Sequence, residues 1–295
     1  PPPPPPHPTI RNYSFLLLHG GAGIGLGIII WFLVKLRLYS AIMIQNKIYI
    51  YGKHALTEAI TSNSKALEEI FVAPQFDDQV LRDMVRKSSI KMTVLTSKTM
   101  PREVESTAVH QGIIGLLSFD KLVRPFEEFV QGLEVTADTS LVILGEINDP
   151  QNVGAIIRSA AAFGVSGVLI PEHNQAQVTG SVVKVSAGMA FKIPLVSVSN
   201  VNSAVRDLKE RGFWVYGLEG ESKQSITKEN FDAPSLFILG NEEKGIRTKT
   251  RDLCDILVSI PVNPRCESLN VGASAAVALY AWSAKHPRAL RVGKK

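Results

Sequence analysis

A chain of 295 residues that is 45% hydrophobic and 20% charged is long enough to bury two cores, and its charge content is ordinary for a soluble protein. The formal net charge of +5 does not by itself identify a nucleic-acid partner, because Arg11, Lys35 and Arg37 supply three of those charges before any acidic residue occurs. Cys254 and Cys266 show neither C-x-x-C spacing nor a disulfide framework, which excludes a disulfide-stapled scaffold, favours a reducing compartment and leaves no zinc site.

Residues 1–45 form a proline-rich and hydrophobic segment of uncertain status. Six prolines open it, and Phe15 to Val34 then runs FLLLHGGAGIGLGIIIWFLV, a membrane-spanning length. Lys35 and Arg37 would put the C-terminal side in the cytoplasm. A cleaved signal peptide fits less well, for want of a strongly basic start and a small-residue cleavage site. The alternating glycines 21, 23, 25 and 27 miss the G-x-G-x-x-G spacing of a nucleotide loop. Two readings stay open: a genuine anchor through residues 15–34, or a stretch upstream of a start near Met43.

From Lys47 to Val123 short apolar runs alternate with amphipathic stretches, as in a small α/β domain. KIYIYG predicts a strand, HALTEAI a helix, EEIFVA a strand, DDQVLRDMVRKS a helix, and IKMTVLT and QGIIGLLSF two more strands. The first domain is placed at 46–123, with a linker over 124–140 containing Arg124, Pro125, Glu127 and Glu128. From Leu141 to about 288, LVILGE, VSGVLIP, FWVYGLE, SLFILG and DILVSIP read as strands. Helices are expected over NVGAIIRSAAAF, near AVRDLKERG and over ASAAVALYAW, with Gly164 ending the first. Nearly continuous apolar strands separated by helices predict a mostly parallel sheet covered on both faces.

Loops at the carboxyl ends of such strands collect ligands. The loop after LVILG holds Asn148, Asp149, Pro150 and Asn152, with Arg158 six residues further on inside the helix. Asn152 reads either as a helix cap or as a functional group. Arg158 is either solvated or, if buried, in need of an anion. The loop after SLFILG is NEEKG, bracketed by Gly240 and Gly245, with a carboxylate at Glu242. In the loop after DILVSIP, Ser268 and Asn270 precede a helix opening on small residues, where capping again competes with function.

Taken in order, NVGAIIRSA, LGNEEKG and IPVNPRCESLNVGASAA resemble the motifs of the SpoU/TrmH family of RNA ribose methyltransferases, a likeness covering about residues 141–285. YIYGKHALTEAI and VHQGIIG resemble the ends of the small L30e-like RNA-binding domain carried by the 23S rRNA guanosine 2'-O-methyltransferases of that family. Gly272 departs from the pattern, in which many members have Ser.

The resemblance implies an α/β SPOUT fold, a methyltransferase domain tied in a deep trefoil knot, preceded by the L30e-like substrate-binding domain. It implies S-adenosylmethionine held largely by backbone groups at Leu239, Gly240, Ile260 and Leu269, no metal, and a homodimer whose partner completes each site. Asn152, Arg158, Glu242, Ser268 and Asn270 match the residues that position the ribose and support transfer. The implied reaction is methylation of the ribose 2'-hydroxyl of a guanosine in 23S-type rRNA, in the cytoplasm, with an organellar or membrane-tethered location as alternatives. A tRNA ribose methyltransferase and a non-catalytic RNA-binding ribosome factor are the competing functions. The family's role for Arg158 is activation of the hydroxyl. A guanidinium with a pKa above about 12 is a poor proton acceptor, so gripping the adjacent phosphate and stabilising the developing alkoxide is the other role open to it.

Overall fold

The computed structural model describes residues 47–104 and 109–290, so residues 1–45, read as an anchor or as a stretch upstream of a start near Met43, lie outside them. No helix among the described residues is long and apolar enough to cross a membrane.

The N-terminal lobe runs β1 (Lys47–Tyr51), α1 (Lys53–Asn63), β2 (Leu67–Val72), α2 (Gln79–Lys87), β3 (Lys91–Val94) and β4 (Ile113–Ser118), with strand order β1-β4-β2-β3. All six residues of β4 are buried because it lies between β1 and β2, antiparallel to both. Helix α2 shows how local sequence sets an element. The Asp78 carboxylate caps its N-terminus by accepting from the Leu81 amide at 3.0 Å, Leu81 and Val85 bury one face, and Arg86 and Lys87 end it with charge that suits the helix dipole.

Residues 124–140, expected as a linker, are already structured at their start. After α3 (Phe119–Leu122), β5 (Val123–Pro125) joins the second sheet beside β8 (Leu195–Val198), and α4 (Phe126–Gln131) buries Phe129 and Val130. Charged and proline residues on an edge strand read as linker because only one side of the strand is paired.

The second sheet has eight strands, all paired in parallel, in the order β10-β12-β9-β11-β6-β7-β8-β5. Its other members are β6 (Ser140–Leu144), β7 (Gly167–Pro171), β9 (Trp214–Leu218), β10 (Gln224–Ser225), β11 (Ser235–Leu239) and β12 (Ile256–Ser259). Along β6, Leu141 and Ile143 face the cluster formed with α7 (Val201–Glu210), whereas Val142 and Leu144 face that of α5 (Pro150–Ala162) and α9 (Val271–Ser283). Burial on both faces is why these strands read as unbroken apolar runs. Gly164, with φ 74°, follows α5 as expected. The short α6 (Gly180–Val185), β8 and α8 (Thr248–Arg251) were not foreseen, since four to six residues carry too little periodicity to distinguish helix from strand.

Helix α9 packs along α5. Its far end is pinned by His286, which stacks on Trp282 and places Nδ1 2.9 Å from Asp138 and Nε2 3.0 Å from the Phe231 carbonyl oxygen.

Candidate active site

The carboxyl ends of β6 and β11 are neighbours, and the Gly145 amide donates to the Leu239 carbonyl at 2.7 Å. Chain order reverses at this point of the sheet, because β7 and β8 extend to one side and β9 and β12 to the other. A crevice at the strand ends of an α/β sheet forms at such a switch.

Three loops meet there through side chains. The Asn270 Nδ2 donates to Asn152 Oδ1 at 2.8 Å, and Asn152 Nδ2 donates to Glu242 Oε1 at 3.0 Å. Asn270 also caps α9, its Oδ1 accepting from the Gly272 and Ala273 amides at 2.9 and 3.3 Å. It is therefore cap and link at once. Asn152 is not a cap: that position belongs to Asp149, which accepts from the Gln151 amide at 2.8 Å. Asn152 is 8% exposed and spends both ends of its amide on the other two loops.

Glu242 closes the chain as an acceptor. Burial opposes its charge, but hydrogen bonds from Asn152 and from the backbone amides of Glu242, Asn148 and Asp149 outweigh burial and hold the carboxyl below its ordinary range. The second loop is tight: Asn241 and Gly245 exchange backbone hydrogen bonds at 3.0 Å in each direction. A side chain at Gly240 would put its Cβ 2.4 Å from the Gly245 carbonyl carbon, so only glycine fits.

Three further residues hold the first loop and were missed in the sequence. Gln175 grips both backbone groups of Ile147, at 2.9 and 2.7 Å, from 28 positions away, and no local signal marks it. Asn241 donates to the Glu146 carbonyl at 2.8 Å, and Arg247 pairs with the Glu146 carboxylate. Adjacency to Gly240 and Glu242 was the only available signal for Asn241.

Asn148, Asn152, Glu242, Lys244 and Arg247 line a polar cleft of about 710 Å³. A larger cavity, about 900 Å³, lies by the ends of β5, β7 and β8 and contains none of the motif residues. Two expected site residues are not drawn into the hydrogen-bonded chain. Arg158 is exposed on α5, without a side-chain partner among the described residues, and lies outside the cleft. Ser268 is exposed within 261–268, a run exposed throughout, and only its backbone carbonyl is engaged, by the Cys266 thiol. Leu239 is buried, and Ile260 and Leu269 are half-buried at the two ends of that exposed run.

Residues 139–280, which carry all three motif loops, match the SpoU rRNA Methylase family, and residues 49–121 match the RNA 2'-O ribose methyltransferase substrate binding family. A Nitrosomonas europaea protein named 23S rRNA (guanosine-2'-O-)-methyltransferase RlmB is 31% identical over 81% of this chain and 92% of its own length. The chain belongs to the SpoU rRNA methylase family. A Xanthomonas axonopodis relative of the same name is 34% identical, over 79% of this chain and 94% of that protein. Among solved structures, the SpoU methyltransferase AviRb from Streptomyces viridochromogenes, in complex with AdoMet, superposes with a TM-score of 0.68 at 19% identity. That match covers 82% of this chain and 92% of the other and shows a shared fold. In this member of the SpoU family, Asn152, Glu242 and Asn270 are the motif residues that side-chain hydrogen bonds tie together.

Proposed function

We propose that this protein transfers a methyl group from S-adenosylmethionine to the ribose 2'-hydroxyl of a guanosine in large-subunit rRNA. The observation that carries this reading is the Asn270–Asn152–Glu242 chain, which fastens three motif loops together at the switch point of a parallel sheet. The names of the relatives and the substrate-binding match over 49–121 support the choice of substrate.

The residues present suit the cofactor. Ile260 and Leu269 offer half-buried apolar walls, and Gly240 lets the Gly245–Ile246 backbone close against the end of β11, which shapes the loop whose backbone groups would hold the adenosine. When bound, S-adenosylmethionine would supply an electrophilic methyl whose carbon the ribose oxygen attacks in line, the C–S bond breaking to release a neutral thioether and the hydroxyl proton passing to water. The chain's own residues do the rest. Asn152 and Glu242 fix the loops around the ribose, so that positioning lowers the barrier. Arg158, free of internal partners, is available to hold the phosphate next to the reacting sugar and to stabilise the developing alkoxide.

Because Arg158 stands apart from the Asn152–Glu242 pair, a second copy of the chain completes the site in this reading. The exposed Val277 and Tyr280 on α9 offer apolar surface for that homodimer. A trefoil knot in the C-terminal part and a cytoplasmic location belong to the same proposal.

The test is methyl incorporation into unmodified large-subunit rRNA and into bulk tRNA by one preparation, followed by nucleoside mass spectrometry. The expected product is 2'-O-methylguanosine in the rRNA. Methyl mainly in tRNA overturns the substrate, and methyl on a base overturns the reaction.

A further inference from the structure

The N-terminal lobe does not hang from the methylase lobe by a connecting chain alone. Its edge strand β1 pairs only with β4, and the opposite edge, which would otherwise present unpaired backbone groups, abuts α6 of the methylase lobe. Four residues spaced four apart, two on α6 and two beyond it, face the N-terminal lobe. A Cβ at Gly180 would lie 2.0 Å from the Tyr49 carbonyl oxygen, so only glycine lets α6 approach the strand. Lys184 places its ammonium 5.8 Å from the centre of the Tyr51 ring. Gly188, with φ +77°, turns the chain where a Cβ would lie 2.8 Å from Cγ of Glu58 on α1. Lys192 Nζ then lies 2.7 Å from Glu58 Oε2, with 43% and 19% of the two side chains exposed.

Behind this contact, α6 packs against α5, where a Cβ on Gly154 would be 2.6 Å from the Val185 Cβ. Two residues earlier on α5 stands Asn152, the centre of the three-loop chain. A continuous packed path therefore leads from the surface of the N-terminal lobe through α6 and α5 to the site, and one apolar core runs through both lobes.

We infer that the seam formed by Gly180, Lys184, Gly188 and Lys192 against β1 and Glu58 is a docking joint that fixes the RNA-reading lobe relative to the methyl-transfer site. These are positioning residues for substrate selection. The inference rests on the RNA function proposed above. A lobe held in place binds a large RNA without first losing the freedom of a swinging domain, so the joint acts on RNA affinity rather than on chemistry.

Charge reversal across the Glu58–Lys192 pair tests this in the full chain. Glu58→Lys and Lys192→Glu each place like charges together. Each single variant should raise KM for an unmodified large-subunit rRNA transcript about tenfold, leaving kcat at saturating transcript and the Kd for S-adenosylmethionine unchanged. Small-angle scattering should show a larger radius of gyration for each single variant. The double variant should regain both the compact radius and the wild-type KM. Lobes that separate without a change in KM overturn the inference, as do single variants that alter neither readout or a double variant that restores neither. If the wild type methylates no RNA, the proposed function fails instead, and scattering together with transcript Kd still decides whether the joint positions the lobe.

Discussion

Asn152 holds a side-chain amide almost wholly out of water, and both of its polar atoms are satisfied by side chains from other loops. Replacing it with Ala removes its hydrogen bonds to Glu242 and Asn270, each worth about 0.5–1.5 kcal/mol, and loosens the loops around the reaction. Asn152→Asp is the sharper variant, since a second carboxylate would face Glu242. Methyl transfer should fall further in Asp than in Ala, as single-turnover rates would show.

Glu242 gives the pH dependence. Its folded pKa lies below the ordinary 4.5, so its ionised form stabilises the fold at all pH values above 4.5, and that contribution disappears as pH falls through the lowered folded value. Melting curves of wild type and Glu242→Gln should therefore differ by a constant amount from pH 7 down to about 5 and converge in stronger acid. Arg158 behaves oppositely. With no internal partner it should be replaceable by Ala within about 0.5 kcal/mol of stability, while methyl transfer is lost and affinity for S-adenosylmethionine stays. Substantial activity in Arg158→Lys would show that charge suffices and would remove the bidentate phosphate role.

At the level of elements, the two cysteines separate a packed helix end from an open loop. Burial, reinforced by the nearby Asp255, pushes the Cys254 thiol up to about 12, whereas Cys266 is exposed in the 261–268 run. Iodoacetamide at pH 8 should label Cys266 alone, and S-adenosylmethionine should slow that labelling if the run closes over it. Equal labelling with and without cofactor would remove this loop from the binding site. The neighbouring loop has no such latitude. Gly240→Val would force β11 and the Gly245–Ile246 backbone apart, so calorimetry should find cofactor binding lost in a protein whose far-ultraviolet circular dichroism is nearly unchanged.

For the whole molecule, the shared core makes removal of the N-terminal lobe a different experiment from the one its apparent independence in sequence suggests. Ile50, Leu56 and Ile70 belong to the same buried cluster as Val142, Ile156 and Val183, so deleting residues 46–123 strips cover from α6 and disturbs α5 behind it. Such a deletion should lower the melting temperature of what remains as well as its activity on rRNA. A remainder with unchanged melting temperature would show that the seam contributes no stability.

Much of the fold and part of the site can be read from the residues in order. The doubly buried strands announce themselves as apolar runs because both faces of a parallel sheet are covered, and the motif loops stand out because Asn, Glu and Gly gather at strand ends. That determined the sheet, the family likeness and the residues worth watching. The tertiary structure alone decided that Asn152 links rather than caps, that Arg158 stands outside the cleft, and that Gln175 holds a loop 28 residues away. It also decided that Val123–Pro125 joins the second sheet and that four residues at intervals of four weld two lobes together. Such facts depend on which atoms meet across long stretches of chain. Periodicity registers only which face of its own element a residue occupies, and therefore does not contain them.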